Sequence, residues 1–344
     1  VTATDDESKN TELNITSAES ERLALLSRRV NELRLRIPGT RLEVLINQLY
    51  DELARAGIQF RPRVYLSDEW GCPDRVPVIG IPFYLADPVL SQMEGELTEV
   101  EAEGEAEVLM YLRHETGHAF NYAYRLYLDP EWKRLFGSIS DAYEDDYKTI
   151  PFSARYVRHV PGWYGQRHPD DDFAETFAVW LYPGSDWRRR YAGTVALTKL
   201  QYVDRVAHQL GGTPPVVSDG ALDVPVEEMD ITLAEWYAPD EEGPACSLPA
   251  ILDSDLESLF PAVEGQPAHE LIHTWRRSLV RDLHHWTGVT RPVLHRLLAE
   301  VDRHLKKLNL KVESDQVPSR LEALAIFLTT LVMNYNYTGQ FVDR

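Results

Sequence analysis

His114-Glu115-Thr116-Gly117-His118 combines two imidazoles and a carboxylate at a spacing that suits metal-assisted hydrolysis. On an α-helix, residues four apart share a face, one turn apart. His114 and His118 can therefore offer neutral nitrogens to one ion, and Glu115 beside them can take a proton from water held there. The pattern recurs at His269-Glu270-Leu271-Ile272-His273, so the short motif alone does not choose between its two copies.

Either copy needs a third ligand from elsewhere in the chain. For the first, Asp172-Phe173-Ala174-Glu175-Thr176-Phe177-Ala178 puts Glu175 on a second apolar helix. Packed against the first helix, it would complete a His114, His118, Glu175 set with one position left open for water. A carboxylate amid Phe173, Phe177 and Trp180 is costly to bury unless paired or metal-bound. Gly117 and Ala119 would let another segment approach closely. Asp171 or Asp172 can orient an imidazole through its second nitrogen, although helix capping accounts for them equally well. The second copy runs into Thr274-Trp275-Arg276-Arg277, whose cations oppose a divalent ion, and neither Glu300 nor Glu322 sits in a compelling setting. We expect it to be a solvated helix face. His284, His285, His295 and His304 lack metal-ligand companions, and no His/Asp setting supports Cys72 as a nucleophile.

The elements that must position these groups follow from hydrophobic periodicity. Residues 1–18 are polar and acidic and are expected to be disordered. Helices are expected over 19–35, 41–56, 105–126, 170–181 and 194–210, with strands over 60–66 and 76–85. The stretch from Glu94 to Glu107 carries seven glutamates and reads as solvated surface. Residues 211–228 are rich in Gly, Pro and Asp and are expected to link a core over 19–210 to a helical C-terminal region over 229–344. Helices there are expected near 254–260, 267–286, 290–308 and 318–335. The fold class expected is α+β, predominantly helical, with a small β-sheet.

A net charge of -20 disfavours nucleic acid and anionic lipid as partners, since phosphates would be repelled. Two cysteines provide neither a disulfide framework nor a Cys-rich metal site. Residues 1–20 lack an apolar signal core, and the apolar run near Leu324 to Met333 is too short to span a bilayer. The expectation is a cytoplasmic protein.

Several stretches in order carry a resemblance. They are Arg61-Pro62-Arg63-Val64-Tyr65-Leu66-Ser67-Asp68-Glu69-Trp70, Ile79-Gly80-Ile81-Pro82-Phe83-Tyr84-Leu85 and Leu112-Arg113-His114-Glu115-Thr116-Gly117-His118-Ala119. Gly162-Trp163-Tyr164, His168-Pro169-Asp170-Asp171-Asp172-Phe173-Ala174-Glu175-Thr176-Phe177-Ala178-Val179-Trp180-Leu181 and Lys199-Leu200-Gln201-Tyr202-Val203-Asp204 complete them. Over about residues 20–210 the chain resembles a bacterial zinc-binding metallopeptidase family, a gluzincin group related in site plan to titration-factor-like and lethal-factor-like peptidases. The resemblance implies a zincin-like catalytic core holding one Zn2+ per chain through His114, His118 and Glu175. It implies Glu115 as general base and a peptide or protein as substrate. The oxyanion formed during peptide hydrolysis needs a donor besides the ion. Tyr164 is the first choice, with His168 and Tyr156 behind it. The strand near Ile79 to Tyr84 is a candidate edge for an extended peptide.

Overall fold

Leu42, Leu45, Ile46, Leu49 and Leu53 fall on one stripe of a 3.6-residue repeat. In the computed structural model all five are buried on helix α1 (Arg41–Arg55). The Thr40 hydroxyl caps the helix by accepting the Leu42 amide at 3.2 Å. The structure describes residues 20, 22–97, 104–143, 147–238, 248–249 and 252–342. The segment expected to be disordered, 1–18, lies outside them.

Strands β1 (Arg63–Ser67) and β2 (Val78–Pro82) form a parallel pair with Tyr65 opposite Gly80. Every residue of β2 is buried. On its other side the Gly80 amide donates to the Gly71 carbonyl at 2.7 Å. The edge expected to receive a peptide is thus already occupied at Gly80.

Helices α2 (Pro88–Leu97), α3 (Glu105–Tyr124), α4 (Pro130–Phe136), α5 (Pro169–Leu181) and α6 (Val195–Leu210) follow the pair along the chain, and α3 packs against β2. Towards the C-terminus come α7 (Asp253–Leu259), α8 (His269–Thr287), α9 (Arg291–Lys307) and α10 (Val317–Thr338). Residues 266–267 and 311–312 add a short antiparallel pair. The molecule is predominantly helical with a small sheet, as expected.

Two expectations shift. The helix over 19–35 breaks: residues 22–26 are helical, and Val30–Leu33 is a separate 3-10 turn. Its backbone pairs elsewhere, the Val30 amide donating to the Ile231 carbonyl at 2.9 Å. A tertiary contact here overrides the helical period. Residues 211–228 also do more than connect. The Val216 and Val217 amides both donate to the Ala123 carbonyl, and the Asp223 carbonyl accepts from the Tyr65 hydroxyl at 2.9 Å. The first hydrophobic core consequently extends from Val30 to Leu233, and a second runs from Leu248 to Val332.

The two cores meet through specific contacts. Thr149 Oγ1 donates to the Thr287 carbonyl at 2.9 Å and accepts from Asn336 Nδ2 at 3.0 Å. Trp163 Nε1 donates to the Trp286 carbonyl, and the Arg158 guanidinium lies 4.0 Å from the Trp163 ring and 5.4 Å from that of Trp286. Among the described residues no helix is long and apolar enough to cross a membrane.

Candidate metal centre

Two helices build the centre. α3 starts at Gly104, whose amide donates to the Glu107 carboxylate at 2.9 Å, and its acidic first turn suits the positive end of the helix dipole. Behind the first motif, Arg113 donates to both carboxylate oxygens of Glu52 on α1 at 2.7 and 2.8 Å, a buried bidentate pair. α5 starts at Pro169, where a missing N–H costs nothing. His168 caps it, Nδ1 accepting the Asp170 amide at 3.2 Å. The helices touch at Gly117. A Cβ there would lie 2.6 Å from Ala174 Cα and 2.8 Å from its carbonyl oxygen. The glycine inside the motif is therefore what lets both imidazoles reach α5.

His114 and His118 are buried with their Nε2 atoms 3.1 Å apart. Asp171 Oδ1 lies 3.4 Å from His118 Nε2 and 3.7 Å from His114 Nε2. Two atoms each about 2.0–2.1 Å from an ion at a tetrahedral angle are about 3.3 Å apart. The observed triangle is close to that size. Among the described residues, His114, His118 and Asp171 form the group that could hold a metal ion.

Glu175, expected as the third ligand, is placed differently. His114 Nδ1 donates to Glu175 Oε1 at 2.9 Å, on the ring edge away from the triangle. The same carboxylate accepts the amides of His159 and Val160 at 2.8 and 3.0 Å. The reason is helical rise. Asp171 and Glu175 share a face of α5 but sit one turn apart, about 5.4 Å. The first turn meets the Nε2 atoms and the second meets the back of His114. The position expected of Asp171, behind a ring, is thus taken by Glu175, while Asp171 joins His114 and His118 in the group that could hold a metal.

Asp170 does for His118 what Glu175 does for His114. It accepts His118 Nδ1 at 2.9 Å, Asn121 Nδ2 at 2.6 Å and the Tyr122 hydroxyl at 2.5 Å. With both Nδ1 atoms donating, both Nε2 atoms are aimed at Asp171. Asp172 points away and pairs with the buried Lys199 of α6, and burial raises its carboxyl to about 7 although Lys199 opposes this. The sequence signal for Asp170 and Asp171 was present as three successive aspartates in one helical turn, a set larger than a cap requires.

Electrostatics favour a cation at the triangle. Glu115, Asp170, Asp171 and Glu175 are four buried carboxylates around two imidazoles. Burial alone would lower the His114 pKa, but hydrogen bonds to Asp171 and Glu175 outweigh it and raise it to about 9. His118 is likewise pushed up against its burial, by Asp170 and Asp171. The Asp171 carboxyl is held well below the usual range by both imidazoles, again against burial. Two protonated Nε2 atoms 3.1 Å apart would turn their hydrogens on one another. One divalent ion replaces both protons at the same total charge. Asp171 Oδ2 and Glu115 Oε2 are buried with no hydrogen-bond partner among the described residues, as a ligand carboxylate and a waiting base would be. The residues fit a bound cation.

The centre opens on a cleft of roughly 500 Å3. His114, Glu115, Val160 and Tyr164 line it, together with His284, Thr290 and Arg291 from the helical C-terminal region. Of the three residues considered for an oxyanion, only Tyr164 lines the cleft. Its ring stands edge-on to His114, centroids 5.3 Å apart. His168 is committed to its cap and to the Asp141 carbonyl. Tyr156 packs against the Lys199 ammonium at 4.4 Å.

The second motif behaves as a solvated face. Leu271 and Ile272 are buried in the second core, while the exposed His273 pairs with Asp302 at 3.2 Å. Glu300, weighed as its third ligand, is bonded to Arg303. Compared with protein-family models, curated proteins and solved structures, the chain matches none of them.

Proposed function

We propose that the protein is a zinc-dependent peptidase. One observation carries this: three buried atoms that could ligate a metal converge beside Glu115, a residue of the cleft lining whose Oε2 has no hydrogen-bond partner among the described residues. Two imidazoles and a carboxylate suit Zn2+, which when bound acts as a Lewis acid and lowers the pKa of a water towards ~7.

The chain's own groups would do the rest. Glu115 accepts the proton of the attacking water and returns it to the leaving amine. Burial raises its pKa, with the imidazoles opposing, which makes it a stronger base than an exposed glutamate. Glu175 and Asp170 hold the imidazoles in place from behind. Tyr164 keeps its proton, since burial and Asp171 push its pKa well up, and it can donate to the developing oxyanion.

The test is metal analysis and a peptide-library assay, with a chelator control, on wild type and three variants. Glu115→Gln should retain metal and lose turnover. Asp171→Ala should lose metal. His269→Ala should change neither. Full turnover by Glu115→Gln would remove it as the base, and metal retained without any turnover by wild type would favour a zinc-stabilised binding protein. Turnover of non-peptide amides alone would redirect the substrate class.

A further inference from the structure

The phenol of Tyr164 is not alone in the cleft wall. Arg167 Nη1 donates to Tyr164 Oη at 3.0 Å, and its guanidinium carbon lies 5.5 Å from the Tyr143 ring. Arg167 itself lines the cleft. A guanidinium has donors only. The phenol oxygen must therefore accept, and its own hydrogen must point away from Arg167. Among the described residues no acceptor takes that hydrogen.

The neighbouring His284 cannot serve instead. Its Nδ1 lies 3.0 Å from the Val289 carbonyl and must carry the hydrogen there. Burial keeps this ring neutral, pulling its pKa down, so Nε2 is left as an acceptor. The α5 groups next to the imidazoles are acceptors as well. Tyr164, whose ring stands against His114, thus keeps a hydroxyl hydrogen to give, and the bond from Arg167 turns that hydrogen to the other side of the phenol oxygen.

Resting on the peptidase reading, we propose that Arg167 is a positioning residue for transition-state stabilisation. It orients and polarises the Tyr164 hydroxyl so that the phenol donates to the oxyanion of the tetrahedral intermediate. Charge-assisted donation into an oxygen strengthens the bond which that hydroxyl makes in turn. Arg167 need not touch the substrate for this.

The experiment is a double-mutant cycle with Tyr164→Phe and Arg167→Met in the metal-loaded protein. It reads kcat, KM, metal content and calorimetric affinity for a phosphinic peptide that mimics the tetrahedral state. Tyr164→Phe should lower kcat and phosphinate affinity by about 10²-fold with KM and metal content unchanged. Arg167→Met should lower both by about tenfold, and should add nothing in the Tyr164→Phe background. Arg167→Ala, rescued by free guanidinium when Tyr164 is present and not when it is Phe, supplies the same answer if the Met variant folds poorly. Equal losses from Arg167→Met in both backgrounds overturn the proposal and leave the peptidase reading standing. A metal-loaded wild type with neither peptide turnover nor phosphinate binding overturns both.

Discussion

Asp171 and Glu175 are both buried carboxylates on one face of α5, yet they touch opposite edges of the same imidazole. Their substitutions should differ accordingly. Glu175→Gln should weaken metal binding by about 10–100-fold, the usual effect of losing a group that orients a ligand. Asp171→Ala should weaken it further, and calorimetry would rank the two. Proton competition makes a second prediction. In the metal-free protein burial opposes protonation of His114, but Asp171 and Glu175 hold its pKa at about 9. The ion must displace that proton, so apparent metal affinity should climb as pH rises towards about 9. An affinity that falls over this range would contradict the arrangement. At this scale the sequence was informative about residue type and less so about contact. His114, His118 and Glu115 were marked by their spacing, and the acidic, apolar segment that follows at 172–178 chose this copy over the one at 269–273. Whether Asp171 or Glu175 faced Nε2 depended on where α5 crosses α3, which local pattern does not encode.

The crossing is set at the level of elements by Gly117 and by what holds α3 from behind. Gly117→Ala puts a methyl into the Ala174 backbone. It should destabilise the fold by about 1–3 kcal/mol and reduce metal content by pushing the imidazoles off α5. Normal metal content in a folded variant would show that the helices can separate without consequence. Arg113 forms the other side of this seating. Arg113→Met leaves Glu52 buried without its partner and should cost about 3–5 kcal/mol in a denaturant titration. Most helices were legible because their apolar positions repeat every 3.6 residues and caps such as Thr40 and Gly57 mark their ends. The stretch over 147–166 was not. Its path depends on backbone at positive φ, as at Phe152 (φ 60°) and Trp163 (φ 61°), and on contacts with α8 that lie far away in sequence.

Across the whole molecule, the two cores share the cleft, so the stability of the second affects the site in the first. His295, on α9, is a sensitive point there. Burial first, and then Arg276 and Arg291, lower its pKa to about 4. Arg276 Nη2 donates to its Nδ1 at 3.1 Å, which requires a free lone pair on that nitrogen. Between about pH 6.5, the unfolded value, and about 4 the unfolded chain binds the extra proton. This contribution to stability is full above pH 6.5 and is lost as pH falls through that window. Thermal melts from pH 7 to 4 should show the slope, and His295→Gln should flatten it. The grip of Glu175 on the His159 and Val160 amides leads to a different observable. Residues 157–160 form neither helix nor strand, a kind of segment whose amides normally exchange with solvent quickly. These two amides are locked to a carboxylate that also holds His114. In deuterated water they should form a protected island within this segment, exchanging only when the metal centre itself opens.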